Sequence, residues 1–467
     1  MQREPTRRYT RRGVLALIGA GGLAGCSGSE GDEPSSESEQ TETTTDVTTT
    51  TPIAPTTPSG SSLFEEYDVS VSHEREGGDT SWEAPTDAPP ALETELLVEN
   101  LAVPWDLSFA GDGTLFITER VGRLRAFDGE QARVVAEPED AIDAGSVDPG
   151  ESHDSWWVEG GEGGTLGVTA HPNYPEPPVV YIYYTAQTGS GKRNRVVAFD
   201  VSAANPGETG TVVVDGIPAG GIHNGGRIEF GPENYLWITC GDAGQREMAR
   251  HTSTFHGKVL RVTPTGDPAP GNPDLGGDAD PRIFTYGHRN PQGIVWLPDG
   301  TTLVSEHGDG GQDELNRLVA GHDYGWPDVR FLKDYPAEGV HGPLASSGTG
   351  TWAPTGSVFY TGDAVPGLRN RVLISGLWSQ QMTVATLTPP EGQLPPVGEG
   401  TRHDGDWSDD AYTVTTHPRL EEAMGRIRHV EQGPDGDLYA ITSNRDGRAP
   451  DPYPREVDDV LVRLSEA

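Results

Sequence analysis

The sequence predicts an all-β fold: a six-bladed β-propeller preceded by an export leader and a disordered tether. Three observations predict it. The composition, 467 residues with 62 Gly, 39 Pro and 33% hydrophobic residues, suits a turn-rich β protein better than a helical bundle. A unit of strand, tight turn and strand recurs along the chain at roughly sixty-residue spacing, the kind of period that marks repeat architectures. The first ninety or so residues read as a leader followed by a polar, Ser/Thr-rich stretch that has almost nothing apolar to bury.

In chain order, residues 1–26 are a targeting segment. Arg11-Arg12 precede an apolar run over 14–24 that is too short to span a bilayer. Leu23-Ala24-Gly25-Cys26 resembles a lipobox. Twin-arginine export and lipidation of Cys26 are expected, and the alternative is an ordinary secretory leader with an incidental cysteine. Either places the domain outside the cytoplasm, on the outer face of the cytoplasmic membrane or extracellular. The only membrane contact expected is the N-terminal lipid anchor. Residues 27–90 are expected to form the tether.

The propeller is assigned to 91–467. Its units fall at 105–118, 166–184, 227–239, 293–305 and 428–442, with a weaker copy at 358–375. Their turns include Gly111-Asp112-Gly113, Pro298-Asp299-Gly300 and Gly433-Pro434-Asp435-Gly436. Each unit is too small to bury its own core, and blades packed around an axis solve that. A seventh blade stays open, because weak repeats can slip by one.

The formal net charge is −39, from 72 acidic against 33 basic side chains. Such a surface repels nucleic acid and anionic lipid, so neither is an expected partner. The acids run through the whole chain, as on the salt-adapted surfaces of halophiles. The two cysteines, Cys26 and Cys240, leave no disulfide framework and no haem-attachment motif. Cys240, beside β-forming residues, reads as a small buried side chain rather than a nucleophile.

The chemistry is expected around 286–327. Arg289-Asn290 supply a fixed cation and an amide, and the glycine-rich loop Glu306-His307-Gly308-Asp309-Gly310-Gly311-Gln312-Asp313-Glu314 supplies carboxylates and exposed carbonyls. Asp309, Asp313 and Glu314 suit calcium, although the spacing is not that of an EF-hand. His223, ahead of two glycines, could take a proton from an alcohol. Arg426 and Arg428 alternate on a strand and share one face, so an anion or carboxylates must sit between them. There is no zinc spacing, Walker loop, serine elbow or dinucleotide turn.

Together, Gly287-His288-Arg289-Asn290-Pro291-Gln292-Gly293, Asp313-Glu314-Leu315-Asn316, Tyr324-Gly325-Trp326-Pro327 and Gly425-Arg426-Ile427-Arg428 resemble the soluble PQQ-dependent glucose and aldose sugar dehydrogenases. Those are six-bladed propellers that bind pyrroloquinoline quinone and calcium. The resemblance runs from about Leu97 to the C-terminus, with support from Thr118-Glu119-Arg120 and His223-Asn224-Gly225-Gly226-Arg227. It implies that His223 is the general base on a sugar C1 hydroxyl and that Arg289 stabilises charge on the quinone oxygen. It implies that Asn290, Arg426 and Arg428 hold PQQ. The carbonyls of Gly308 and Asp309 would ligate the cofactor calcium, and Glu314 and the Tyr324 carbonyl a second, structural one.

Three positions depart from the pattern. Glu162 stands for a frequent Gln near PQQ and sugar, Asp309 for a usual Pro, and Trp378 for a PQQ-binding lysine. Losing a cation while gaining Glu162 makes the site less welcoming to a tricarboxylate. The leading expectation is a PQQ- and calcium-dependent aldose dehydrogenase that oxidises its sugar substrate at C1 to the lactone and passes electrons to an external acceptor. The alternatives are a non-catalytic propeller that binds a glycan or protein, and a calcium-dependent propeller hydrolase or lactonase.

Overall fold

The computed structural model describes residues 62–75, 81–145 and 161–467. The leader, Cys26 and most of the expected tether lie outside the described residues. The described strands form six antiparallel sheets, so six blades rather than seven are built. Each expected unit supplies the two inner strands of one blade. The first blade runs Pro104–Phe109, Leu115–Glu119, Arg123–Phe127 and Ala132–Ala136. The fourth runs Pro291–Trp296, Thr302–Glu306, Glu314–Arg317 and Ala345–Ser346. The weak copy is the fifth blade, which adds a short fifth strand, Thr401–His403, at its edge.

Alternation does not mark these inner strands, because both faces are covered. Leu115, Phe116 and Ile117 are all buried, each side chain contributing about 1.5–3 kcal/mol. The innermost strands also touch their neighbours too closely for side chains at some points. A Cβ on Gly167 would overlap the Gly226 carbonyl, and one on Gly356 would overlap the His429 ring. Hydrogen bonds tie these contacts, from Val168 N–H to Asp106 Oδ2 at 2.9 Å, Arg227 Nε to Gln292 O at 3.0 Å and Leu107 N–H to His429 Nδ1 at 3.1 Å.

The ring closes on both chain ends. Leu92–Val98 pairs with Leu461–Glu466, so the N-terminal strand completes the blade begun by Ile427–Gln432 and Leu438–Thr442. The last blade is thus built from strands near both ends of the propeller sequence.

The tether expectation is corrected for 62–75 and 81–90, which pack on the propeller as a belt. Leu63 and Val69 are buried in the core shared by the second and third blades. His73 stacks on Tyr235 with centroids 4.1 Å apart, and Arg75 donates to the carbonyls of Pro298 and Asp299. Trp82 packs on Phe359 and Tyr412, and Asp87 pairs with Arg371 at 3.0 Å. The belt is held by isolated anchors and by carbonyls that accept from arginines. That attachment has no period, so composition alone reads as unstructured.

Candidate active site

Two sets of loops meet at one end of the propeller. Glu162, His223, Arg289, Asn290 and Arg426 lie just before innermost strands, and Gly308, Asp309 and Trp378 just after second strands. The tight turns, Pro298-Asp299-Gly300 among them, are at the opposite end. Antiparallel four-stranded blades impose this division, and it brings residues far apart in sequence over one axis.

His223 adopts a left-handed φ of 55°, a conformation uncommon for a non-glycine residue. Its N–H donates to Glu162 Oε2 at 2.7 Å, and its carbonyl accepts from Ala243 N–H at 3.0 Å. The ring Nδ1 lies 2.7 Å from Asp242 Oδ1, while Asp242 Oδ2 accepts from Trp326 Nε1 at 2.9 Å. Burial opposes charge on Asp242, but the pairing with His223 and the donors from Gly244 N–H and Trp326 Nε1 together outweigh it and hold the carboxyl below its ordinary range. A carboxylate can only accept, so Nδ1 donates to Asp242, and in the neutral tautomer this directs the lone pair to Nε2. That is the arrangement of an oriented general base.

Asn290 is buried and its Oδ1 accepts from Gly225 N–H at 3.0 Å. Arg289 Nη1 donates to the His307 carbonyl at 3.2 Å, its guanidinium lies over the Trp326 ring at 5.4 Å, and its buried Nε has no partner.

The two strand arginines find the carboxylate that their shared face requires. Arg426 Nη2 donates to Asp446 Oδ2 at 2.8 Å, and Arg428 Nη2 lies 3.7 Å from the same oxygen. Arg426 also bonds the Ser443 carbonyl at 3.2 Å and does not line the cavity that Arg428 faces. Arg428 faces a cavity of about 30 Å³ together with Arg120, Arg448, Glu162, Asn290 and His307. Its Nε has no partner. Burial pushes Arg428 down to about 9 and Arg120 to about 10, and both remain cationic at neutral pH. Burial would raise Glu162, but Arg448, 2.9 Å from its Oε1, and His223 bring it to about 2.

Trp378 does not join them. Leu377 turns inward to line the cavity, and the next side chain points out, 67% exposed. Trp378 is thus not among the residues brought together around the cavity.

The metal loop also differs in part. Asp313 Oδ1 accepts from Gly308 N–H at 3.0 Å, while Oδ2 accepts from Thr351 Oγ1, Trp352 N–H and Ala353 N–H at 2.7, 2.6 and 2.9 Å. That carboxylate shapes the loop, with Oδ2 taken by three donors and Oδ1 by one. Gly308, Asp309, Glu314 and Tyr324 line a single cavity of about 20 Å³ that Glu306 also reaches. The four residues expected at two calcium positions all line this one cavity. Glu306 and Glu314 stand directly opposite on paired strands, and burial together with Glu306 pushes Glu314 up to about 8. Two buried acids facing each other suit an intervening hard cation. Among the described residues no cluster of three or more His, Cys, Asp or Glu forms a metal site by itself, so a cation here would need carbonyl ligands.

Asp242, Trp326, Arg120, Arg448 and Asp446 were not read as functional from sequence. Asp242, two residues after Cys240, and the pair Asp446-Gly447-Arg448 were visible, but nothing local separates them from other charged loop residues.

Residues 101–451 match the Glucose / Sorbosone dehydrogenase family, and the chain belongs to that family. The Aldose sugar dehydrogenase YliI of Escherichia coli is 28% identical over 380 residues, spanning 77% of this chain and 92% of that protein. A solved putative oxidoreductase (glucose dehydrogenase) from Thermus thermophilus is 38% identical with a TM-score of 0.64, covering 80% of this chain and all of that one. The PQQ-bound Aldose Sugar Dehydrogenase from Streptomyces coelicolor is 29% identical, also at a TM-score of 0.64, covering 81% and 99%. The family assigns the chain to sugar oxidoreductases.

Proposed function

We propose that this protein oxidises an aldose at C1 to the lactone, using PQQ and calcium, and passes the electrons to an external acceptor. The observation that carries the reading is the His223–Asp242 pair beside a cavity walled by Arg120, Arg428 and Arg448. The buried, partnerless Nε of Arg428 fits a polyanion there, and the facing acids Glu306 and Glu314 fit calcium. When bound, PQQ supplies a hydride-accepting quinone and calcium the Lewis acid that polarises it.

The chain supplies the rest. His223 Nε2 takes the proton of the C1 hydroxyl, and Asp242 keeps the ring oriented and balances the imidazolium that results. Arg289 places a fixed cation where negative charge develops. Arg428 and Arg448 hold carboxylates by charge-assisted hydrogen bonds, and Arg120, whose Nε and Nη2 donate to the Gly163 and Gly161 carbonyls, adds a fixed positive charge. Export by the twin-arginine leader and anchoring through Cys26 complete the proposal and set the oxidation outside the cytoplasm.

His223→Ala is expected to bind PQQ as the wild type does and to lose turnover by at least about a hundredfold. Arg428→Ala is expected to weaken PQQ binding by about tenfold or more. Absorbance titration and steady-state rates check both, and equal loss of binding and turnover in His223→Ala would sink the base assignment.

The ion pair of Glu162 with Arg448 and the small cavity favour a second reading, a propeller that binds a glycan or protein without catalysis. It predicts saturable ligand binding and no quinone reduction by any aldose.

A further inference from the structure

His307 carries an imidazole that bonds to nothing, next to histidines that are all engaged. His223 is held by Asp242, and His288 by Glu306 at 2.7 Å and Thr285 at 2.9 Å. The main chain of His307 is fixed on both sides, since its N–H donates to the Asn290 carbonyl at 3.2 Å and its carbonyl accepts from Arg289 Nη1 at 3.2 Å. The ring is thereby set in the wall between the arginine-lined cavity and the Glu306–Glu314 cavity, and it lines both. Its Nε2 is buried without any partner. A buried polar atom without a partner is costly, and beside a cavity a bound ligand is one way to satisfy it.

We propose that His307 is a ligand-contacting residue, whose imidazole hydrogen-bonds the group bound in the arginine-lined cavity. The proposal rests on the PQQ reading for the identity of that group. A neutral imidazole offers one donor and one acceptor, which suits the oxygen and nitrogen edge of an ortho-quinone. Its place beside Arg289 and immediately before Gly308 and Asp309 puts it among the groups assigned to that edge.

The test compares His307→Leu and His307→Gln in the full chain, by PQQ absorbance titration with calcium present and by thermal midpoint without PQQ. His307→Leu removes the orphaned nitrogen while keeping an apolar side chain. It is expected to leave the PQQ-free midpoint equal or higher and to weaken PQQ by about tenfold. His307→Gln, which restores a donor and an acceptor, is expected to bind within about threefold of the wild type. PQQ affinity unchanged in His307→Leu, or a midpoint lowered in that variant, would overturn the proposal and leave the ring a packing element. If the wild type takes up no PQQ, the cofactor reading fails separately. The PQQ-free midpoint then decides: a higher value in His307→Leu supports a nitrogen kept for some ligand, and a lower one overturns it.

Discussion

At the residue scale, Glu162 links the proton-accepting side of the site to its cationic side. One oxygen holds the His223 backbone and the other holds Arg448. Its folded pKa of about 2 lies below the ordinary carboxylate value of 4.5. A depressed pKa contributes stability that is fully present above about 4.5 and is lost as pH falls through about 2. Glu162→Gln is therefore expected to be less stable than the wild type at pH 7, by on the order of 1 kcal/mol. The two proteins should converge near pH 2, and thermal midpoints measured across that range check it. A gap that stays constant with pH would deny the charge its role. His223, Arg289 and Asn290 could be singled out from sequence because each stands in a distinctive glycine- or proline-flanked motif just ahead of a strand. Asp242 and Asp446 could not. Their roles arise from loops of other blades, and in a chain with 72 acidic residues no single acid stands out.

At the scale of elements, the belt bears on the turns at the end away from the site. The Arg75 guanidinium lies against Gly300, whose φ is +87°. A β-carbon at Gly300 would collide with Arg75 and would also strain the backbone. Gly300→Ala is expected to destabilise by about 1–3 kcal/mol. Adding Arg75→Ala should recover only the part due to the collision, because the backbone term remains. A double-mutant cycle by chemical denaturation measures the split, and strict additivity would mean that Arg75 is not seated there. The strands of each blade were legible because turn residues punctuate apolar runs. The belt was not, since Leu63, His73, Arg75 and Trp82 dock singly onto grooves that exist only once the blades are formed.

At the scale of the whole molecule, six blades closed by pairing of the two chain ends give one end of the axis loops from every blade. Repeat spacing made the blade count legible. The grouping of Gly308, Asp309, Glu314 and Tyr324 around one cavity was not, because it depends on how Glu306 and Glu314 face each other across paired strands. The central claim is that this end binds PQQ with calcium. The most direct measurement is a PQQ titration of the purified full chain, followed by absorbance, with calcium and again after chelation. Saturable binding that weakens on chelation, with bleaching of the bound quinone on adding an aldose, is the expected result. No binding at micromolar PQQ with calcium present would contradict the account and leave the propeller a binding module.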